Sequence, residues 1–306
     1  MYFRRSEIAS APLSLSCLFL AEWKCNMQGG WRARWRRKSI WPWLLLSRMG
    51  IACRARTPLF WGVPMEVVTA ETVSRSILSF RYCDAPLTAL LIDLVKPGDH
   101  VVDIGTHLGY EAMLMAELVG SHGSVHAFEP NSEIAAIARR NLAATPWVQL
   151  DISAVGESAC SSEFTIPPIT LSSLGGIGGT FARNRQIVVD VKTLDQIHRE
   201  KPDAFSLIKC DAEGHDAGIV RGGVRVLSKV RPALILETGM PNALGQSART
   251  ASELETFLEP FGYRAFGFEF DGSLRISNLA SSRSGHANTL YLPNTHRRYG
   301  TYCAAC

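Results

Sequence analysis

Charged residues follow directly after short apolar runs at several points in this sequence of 306 residues. Six of them are Asp103, Glu129, Lys209, Asp211, Glu213 and Glu237. Burying such charges costs several kcal/mol unless they are paired, so packing alone explains them poorly. Carboxylates and an amine at strand ends can orient a ligand and move its protons. Lys209 and Asp211 have strand spacing and share a face, so a structural ion pair is the alternative.

The stretch from Val101 to Tyr110 has the pattern of a buried strand, a glycine turn and the start of a helix. Gly105 allows a sharp turn and Gly109 a close approach of backbone to a ligand. Dinucleotide folds require G-x-G-x-x-G, but His107 occupies the position of the second glycine. A nicotinamide dehydrogenase is therefore disfavoured.

The acidic residues beside this turn indicate which nucleotide could bind. Asp103 would repel a phosphate but could hold an ammonium group. S-adenosylmethionine (SAM) carries an ammonium and no phosphate. Glu129, after the predicted strand Ser124–Phe128, is placed to accept hydrogen bonds from both ribose hydroxyls. The pattern predicts SAM, the alternative being a turn glycine and a surface acid in another α/β protein.

The elements that must position these residues alternate between strand and helix, which predicts an α/β fold with a mostly parallel sheet and helices on both faces. Residues 65–74 and 76–82 are predicted to form a strand pair or a strand and a turn, and 147–155 a strand with its loop. Further predicted strands are 100–105, 124–128, 163–166, 186–192, 206–211, 233–237, 263–270 and 289–292. Predicted helices are 85–95, 110–119, 131–142, a short one opening at 193–195, one after Asp211 running to Leu227, and 252–258. The glycine cluster at 172–179 is interpreted as a flexible hairpin loop beside the substrate opening.

Composition divides the chain into three parts. Residues 1–57 are rich in Trp and Arg, predicting a basic, poorly ordered extension; residues 58–293 form the main domain and 294–306 a flexible tail. The formal charge of +4 arises from that extension, so the body gives no reason to expect a nucleic-acid partner. No apolar run approaches the roughly 20 residues of a transmembrane helix. Scattered cysteines without metal-ligand spacing indicate reduced thiols and a cytoplasmic protein.

Four motifs together carry a family resemblance: Val102–Gly109, His126–Pro130, Ile208–Gly214 and Leu236-Glu237. Their order and spacing resemble those of the FkbM family of SAM-dependent methyltransferases, over roughly residues 58–270. The resemblance implies a class I (Rossmann-like) methyltransferase fold with a seven-stranded sheet. It also implies O-methylation of hydroxyls on sugars or polyketide-like small molecules.

Roles follow from this resemblance residue by residue. The cofactor-binding candidates are Asp103, Gly105, Thr106, His107, Gly109, Glu129, Pro130, Ser153 and Ala154. Asp103 and the glycines would shape the methionine end, Glu129 would hold the ribose, and Ser153 and Ala154 would contact the adenine. The catalytic candidates are Lys209, Asp211, Glu213 and His215. The family pattern differs from this chain at Thr106-His107, Ala212 and His215-Asp216, which leaves the acceptor contacts open.

The sequence thus predicts a SAM-dependent O-methyltransferase acting on a hydroxyl of a small molecule or glycan. A catalytically silent SAM-binding or partner-binding protein of the same fold is the alternative, and a nucleic-acid methyltransferase using the basic N-terminus is a third. Asp211, Glu213 or His215 could remove the acceptor proton, His215 having the most suitable unperturbed pKa. No full ligand set for a metal is apparent, although Asp211 and a second carboxylate could hold one.

Overall fold

The computed structural model describes residues 52–69, 71–167, 169, 176–177, 185–202, 205–238, 250–278 and 288–306. Its strands are β1 (Arg54–Pro58), β2 (Pro64–Val68), β3 (His100–Ile104), β4 (Ser124–Phe128), β5 (Val148–Asp151), β6 (Ala154–Val155), β7 (Cys160–Ile166), β8 (Gly176–Ile177), β9 (Arg185–Lys192), β10 (Phe205–Cys210), β11 (Ala233–Glu237), β12 (Tyr263–Phe270), β13 (Leu274–Asn278) and β14 (Asn288–Pro293).

The described chain contains eight α-helices, some of which begin at capping side chains. They are α1 (Thr72–Phe80), α2 (Ala85–Leu94), α3 (Tyr110–Val119), α4 (Ser132–Leu142), α5 (Leu194–Glu200), α6 (Asp216–Arg221), α7 (Thr250–Leu258) and α8 (Tyr299–Ala305), with a π-helical turn at Val226–Val230. Asn131 caps α4 by accepting from two backbone amides, as its position in the sequence predicts. Thr193 caps α5 by accepting from the amide of Gln196.

The main sheet contains eight strands within the described ranges, in the order β13-β12-β14-β11-β10-β3-β4-β5. The five strands from β11 to β5 are parallel, and β12, β13 and β14 are antiparallel to their neighbours. The α/β prediction is confirmed. The described sheet has one strand beyond the expected seven because β13 forms a hairpin with β12, a strand that the sequence analysis missed.

Two apolar cores lie on opposite faces of this sheet. Val101 belongs to the core that α2, α3 and α4 cover, whereas its neighbour Val102 belongs to the core beneath α5, α6 and α7. Both valines are at most 1% exposed. This alternation explains why Val101, Val102 and Ile104 of β3 are all apolar, as a strand covered on both faces requires, while Asp103 is buried with Lys209 as its partner.

A second sheet of four described strands has the order β6-β9-β7-β8 and follows β5 directly. Of the predicted glycine loop 172–179, only Gly176 and Ile177 fall within the described ranges, where they pair with β7. The other residues of that loop lie outside the described part of the chain. The second sheet brings β6 and β7 beside the carboxyl edge of the main sheet, where the candidate site lies.

The sequence analysis was wrong about residues 76–82, which belong mainly to α1 instead of a strand. The β-branched and aromatic residues there suggested a strand. Glu71, fully buried, accepts from the amides of Val73 and Ser74 and starts the helix. A glutamate cap is less usual than Ser, Thr, Asp or Asn, which is why the helix start escaped notice.

The predicted flexible tail at 294–306 is also corrected, because it contains α8. Tyr302 is 5% exposed and donates its hydroxyl to Asp93 of α2, which also pairs with Arg298. Arg297 donates to Asp99 at 2.9 Å. The polar residues suggested disorder because their partners lie about 200 residues earlier in the chain.

The proposed division at residue 58 stays a prediction, although β1 already begins at Arg54. Residues 1–51 lie outside the described ranges. Among the helices of the described ranges, none combines the length and apolar character needed to cross a membrane. The cysteines of the described segments are free thiols.

Candidate active site

A cavity of about 200 Å³ opens where β3, β4 and β10 end. It is lined by Val73, Cys83, Asp84, Leu87, Ile104, Gly105, Thr106, His107, Leu108, Tyr110, Glu111, Phe128, Glu129, Pro130, Ser153, Ala154, Val155, Phe164, Lys209, Asp211, Ala212, Glu213, His215 and Asn288. Most of the predicted site residues are among them. Parallel strands bring their carboxyl ends to one edge, which explains why residues distant in sequence meet there.

The turn after β3 is held from two sides. The amides of Gly105 and Thr106 both donate to the carbonyl oxygen of Phe128 at 3.0 Å. Gly105 has a φ of +75°, and a Cβ on it would lie 2.0 Å from the carbonyl oxygen of Asp211. The turn therefore requires glycine both for its backbone conformation and for lack of space.

Asp103 lies behind this turn instead of on the cavity wall. It is fully buried, accepts from the hydroxyl of Thr106 at 2.6 Å, and its Oδ1 is 3.4 Å from the Nζ of Lys209. Direct contact of Asp103 with a ligand ammonium, which the sequence predicted, does not fit this placement. The structural ion pair that was weighed as the alternative for Lys209 is present, with Asp103 as a partner.

Gly109 likewise shapes the site from outside the cavity lining. A Cβ at this position would be 3.6 Å from the Cβ of Ala138 on α4, and φ is +92°. That distance is ordinary contact, so it is the left-handed φ at the start of α3 that favours glycine here. His107 does line the cavity, in a left-handed conformation with φ of +50°.

Glu129 lies at the end of β4, and backbone amides hold both of its carboxylate oxygens. One oxygen accepts from the amide of His107 at 3.0 Å, and the other from the amide of Asn131 at 2.8 Å. Burial raises the pKa of Glu129 to about 7, against the lowering effect of these hydrogen bonds. Each carboxylate oxygen keeps a lone pair, so the group can still accept from a diol.

The far end of the cavity is an apolar slot that contains one polar atom without a hydrogen-bond partner among the described residues. Phe128, Pro130 and Ala154 line it. Ser153 is 4% exposed, and its Oγ has no hydrogen-bond partner within the part of the chain that the structure describes. A planar heterocycle with a polar edge fits such a slot, because it would supply the missing partner.

The opposite end of the cavity is acidic. Lys209 is 1% exposed, and its Nζ lies 3.6 Å from Asp211 and 3.5 Å from the carbonyl oxygen of Gly105. The chain then turns sharply through Glu213 and Gly214, with φ of +50° and +89°. His215 Nδ1 lies 3.1 Å from the carbonyl oxygen of Ala212.

Carboxyl groups crowd this end closely enough to change one another's protonation. Oxygens of Asp211, Glu213 and Glu237 lie within 4.8 Å of one another. Burial, and then the charge of Asp211, raises the pKa of Glu213 to about 7 and that of Glu237 to about 9. The same two causes raise the pKa of the fully buried Asp216 to about 6.

Several lining residues were missed by the sequence analysis. Asp84 caps α2 by accepting from Leu87, and Asn288 of β14 donates to it at 3.5 Å. Glu111 lies in the first turn of α3, where burial raises its pKa to about 7. An acid two residues after Gly109, in the first turn of the predicted helix, was a usable signal for Glu111. Asp84 and Asn288 had none, because they are 204 residues apart.

The fold and the site together define a class. In the otherwise mostly parallel sheet, the antiparallel strand β14 is inserted between β11 and β12, and the cavity lies over the ends of β3 and β4. This is the arrangement of class I methyltransferases. Within that class, the model of the methyltransferase FkbM domain matches residues 103–265, more than half of the chain. The protein belongs to the FkbM methyltransferase family, as the four motifs predicted, and SAM is the cofactor of that family.

Curated relatives match only part of the chain. Protein-L-isoaspartate O-methyltransferase 1 of Archaeoglobus fulgidus is 32% identical over 114 residues, which are 37% of this chain and 49% of the relative. The corresponding enzyme of Methanothrix thermoacetophila is 37% identical over 79 residues, 26% of this chain and 34% of its own. The chain thus spans about half the length, or less, of these relatives.

Solved structures resemble the chain distantly. A methyltransferase FkbM from Methylobacillus flagellatus covers 73% of this chain and 52% of its own at 16% identity, with a TM-score of 0.42. An O-methyltransferase from Bacillus cereus, solved in complex with SAH, covers 67% and 77% at 18% identity, with a TM-score of 0.40. The family assignment rests on the matched domain.

Proposed function

We propose that this protein is a SAM-dependent O-methyltransferase whose acceptor is a neutral hydroxyl of a small molecule or glycan. The observation that carries the proposal is the charge of the cavity wall. Asp84, Asp211 and Glu213 line one end, and Lys209 is the one amino or guanidinium group among the lining residues. Such a wall repels an anionic acceptor and suits a hydroxyl that must lose a proton.

The residues toward β4 suit the cofactor. Glu129 would accept from the ribose hydroxyls, Ser153 Oγ would meet the edge of the adenine, and the turn at Gly105–His107 would hold the methionine part. SAM, when bound, supplies a methyl group attached to a sulfonium. The protein contributes alignment of the acceptor with that group, which can lower the barrier by up to about 7–11 kcal/mol.

The acceptor proton needs a base beside the end of β10. A carbonyl oxygen only accepts, so the contact with Ala212 holds the His215 proton on Nδ1 and leaves the lone pair on Nε2. His215 lines the cavity together with Asp211. We assign proton removal to this pair, with Lys209 orienting the carboxylate of Asp211 from 3.6 Å.

The relatives that match part of this chain are named as protein-L-isoaspartate O-methyltransferases. An isoaspartyl carboxylate is therefore the competing class of acceptor. An isoaspartyl carboxylate is anionic and needs no base, so neither the acidic wall nor His215 favours it. The silent alternative predicts SAM binding without turnover. Cytoplasmic location and the absence of a nucleic-acid partner stay predictions, and the basic residues behind the nucleic-acid alternative lie outside the described ranges apart from Arg54 and Arg56.

The test measures S-adenosylhomocysteine formation with sugar, phenol and alkyl hydroxyl acceptors, and with an isoaspartyl peptide. We expect turnover on a hydroxyl acceptor, lost in Asp211→Asn and His215→Gln while calorimetry shows SAM affinity retained. Turnover on the peptide alone would overturn the hydroxyl assignment. SAM binding without product from any acceptor would favour the silent alternative.

A further inference from the structure

Polar residues form a row across the ends of three neighbouring strands. In the parallel pair, Lys209 lies opposite Ile235 and Cys210 opposite Leu236, so Asp211 comes next to Glu237 at the strand ends. In the antiparallel pair, Glu237 lies opposite Asn288. Residues directly opposite in such a pair project to the same face. The row Asp211, Glu237 and Asn288 is therefore a product of strand register.

The three carboxylates in and beside this row share one positive partner within the described residues, Lys209. Oxygens of Asp211, Glu213 and Glu237 lie within 4.8 Å of one another. Lys209 lies 3.6 Å from Asp211, but it is shared with Asp103 at 3.4 Å. Over the ranges of the chain that the structure describes, no lysine or arginine lies within ion-pair distance of Glu213 or Glu237. Carboxylates this close repel one another unless a proton or a cation lies between them, and a cation would replace the proton that the raised pKa of Glu237 implies.

An independent feature at the same place is the side-chain oxygen of Asn288. The residue is 9% exposed and lines the cavity with Asp211 and Glu213. Its Nδ2 donates to Asp84 at 3.5 Å, which directs the other amide atom away from Asp84. That atom, Oδ1, is buried and has no hydrogen-bond partner among the described residues. A buried acceptor without a partner is costly, and a cation would satisfy it.

We propose that Asp211, Glu213, Glu237 and Asn288 form a binding site for one divalent cation of the hard type, such as Mg²⁺, Mn²⁺ or Ca²⁺. All four ligands are carboxylate or amide oxygens, which these ions prefer over thiolate or imidazole. Four protein oxygens leave coordination positions for water or for an acceptor oxygen. The row lies at the acceptor end of the cavity and apart from Glu129.

The role of this cation rests on the function proposed above. A divalent cation that contacts the acceptor hydroxyl lowers the pKa of that hydroxyl and fixes its position. The base beside it then takes a proton that is already weakly held. Binding of the ion itself requires neither SAM nor an acceptor, so the site can be tested separately from the reaction.

The experiment titrates Mn²⁺ into the full-length protein without SAM and measures the free ion by electron paramagnetic resonance. We expect one Mn²⁺ per chain, displaced by Mg²⁺ or Ca²⁺. Glu237→Gln and Asn288→Ala should each weaken binding by tenfold or more. Glu259→Gln, which alters an exposed glutamate outside the cavity, is the matched control and should bind as the wild type does.

Absence of stoichiometric Mn²⁺ binding, or equal binding by wild type and Glu237→Gln, would overturn the proposal. Circular dichroism checks that each variant folds. If Glu237→Gln does not fold, Glu213→Gln tests the same site from the partly exposed turn after β10. A parallel SAM titration separates the two proposals. SAM binding without Mn²⁺ binding removes the cation site alone, and Mn²⁺ binding without SAM binding removes the proposed function alone.

Discussion

The carbonyl oxygen of Asp211 lies directly against Gly105, at the place where any other residue would carry its Cβ. The amide of Asp211 also donates to the carbonyl oxygen of Ile104 at 3.1 Å. The turn after β3 and the end of β10 are thus in backbone contact. The part of the cavity that suits the cofactor is rigidly connected to the part that suits the acceptor.

Gly105→Ala tests this contact. The new methyl group would lie 2.0 Å from the carbonyl oxygen of Asp211, so one of the two segments must move. We expect SAM affinity to fall by about tenfold or more, which corresponds to about 1.4 kcal/mol. Isothermal titration calorimetry measures the loss.

Gly98→Ala is the matched control, because Gly98 also has a left-handed φ of +84° but nothing within 4 Å of its Cβ position. It should cost about 1–2 kcal/mol of stability through backbone strain alone and leave SAM affinity unchanged. Equal SAM affinity in the two variants would show that the contact with Asp211 does not shape the cofactor end.

Lys209→Met should destabilise the fold by about 3–5 kcal/mol, because it leaves the fully buried Asp103 without its cation. Urea unfolding measures the change. Adding Asp103→Asn should recover part of the loss, since the buried charge is then gone. Lys192→Met, which breaks partly exposed pairs with Glu200 at 3.0 Å and Asp151 at 3.6 Å, should cost only about 0–1 kcal/mol. A comparable loss in both lysine variants would contradict the assigned role of Lys209.

SAM affinity should fall as the pH drops below about 7. Burial raises the pKa of Glu129 to about 7, so its carboxylate takes up a proton there and accepts hydrogen bonds less well. Because the ligand favours the ionised form, affinity rises with pH and levels off above that value. Calorimetry between pH 5.5 and about 8 should show this slope in the wild type. The Glu129→Gln variant should bind more weakly and lose the slope; a slope that persists would assign it to another group.

Asp93→Ala should lower stability by about 1–3 kcal/mol, because it removes the acceptor of the Tyr302 hydroxyl and the partner of Arg298. Loss of α8 packing should appear in the denaturant midpoint. Asp271→Ala breaks an exposed pair with Arg275 and should change stability by no more than about 0.5 kcal/mol. Unchanged stability of Asp93→Ala would mean that α8 contributes little to the fold.

The sequence predicted the parts of this structure that local patterns determine. β11 matches its predicted bounds because its apolar run starts directly after Pro232, and β12 matches because it lies between Gly262 and the turn residues Asp271-Gly272. The site was predictable where strand ends carry charge, as at Glu129 and Lys209. The burial of Asp103 was not, because its position behind the turn depends on Lys209, more than 100 residues away.

Other misses have the same physical origin. Glu237 was noticed as a charged strand end, but its neighbour Asn288 comes from an antiparallel strand whose register no local pattern reveals. The α8 helix was missed because its contacts with Asp93 join the two ends of the domain. Periodicity predicts which residues are buried, but it does not predict which buried residues meet.

The last described strand, β14, lies inside the main sheet, between β11 and β12. During synthesis, the edge of β11 that pairs with β14 stays unpaired until the chain has been made beyond residue 288. Exposed strand edges promote aggregation, and pairing over long sequence separation is slow. Nascent or prematurely terminated chains would therefore present an apolar edge, Ala233–Glu237, that complete chains cover.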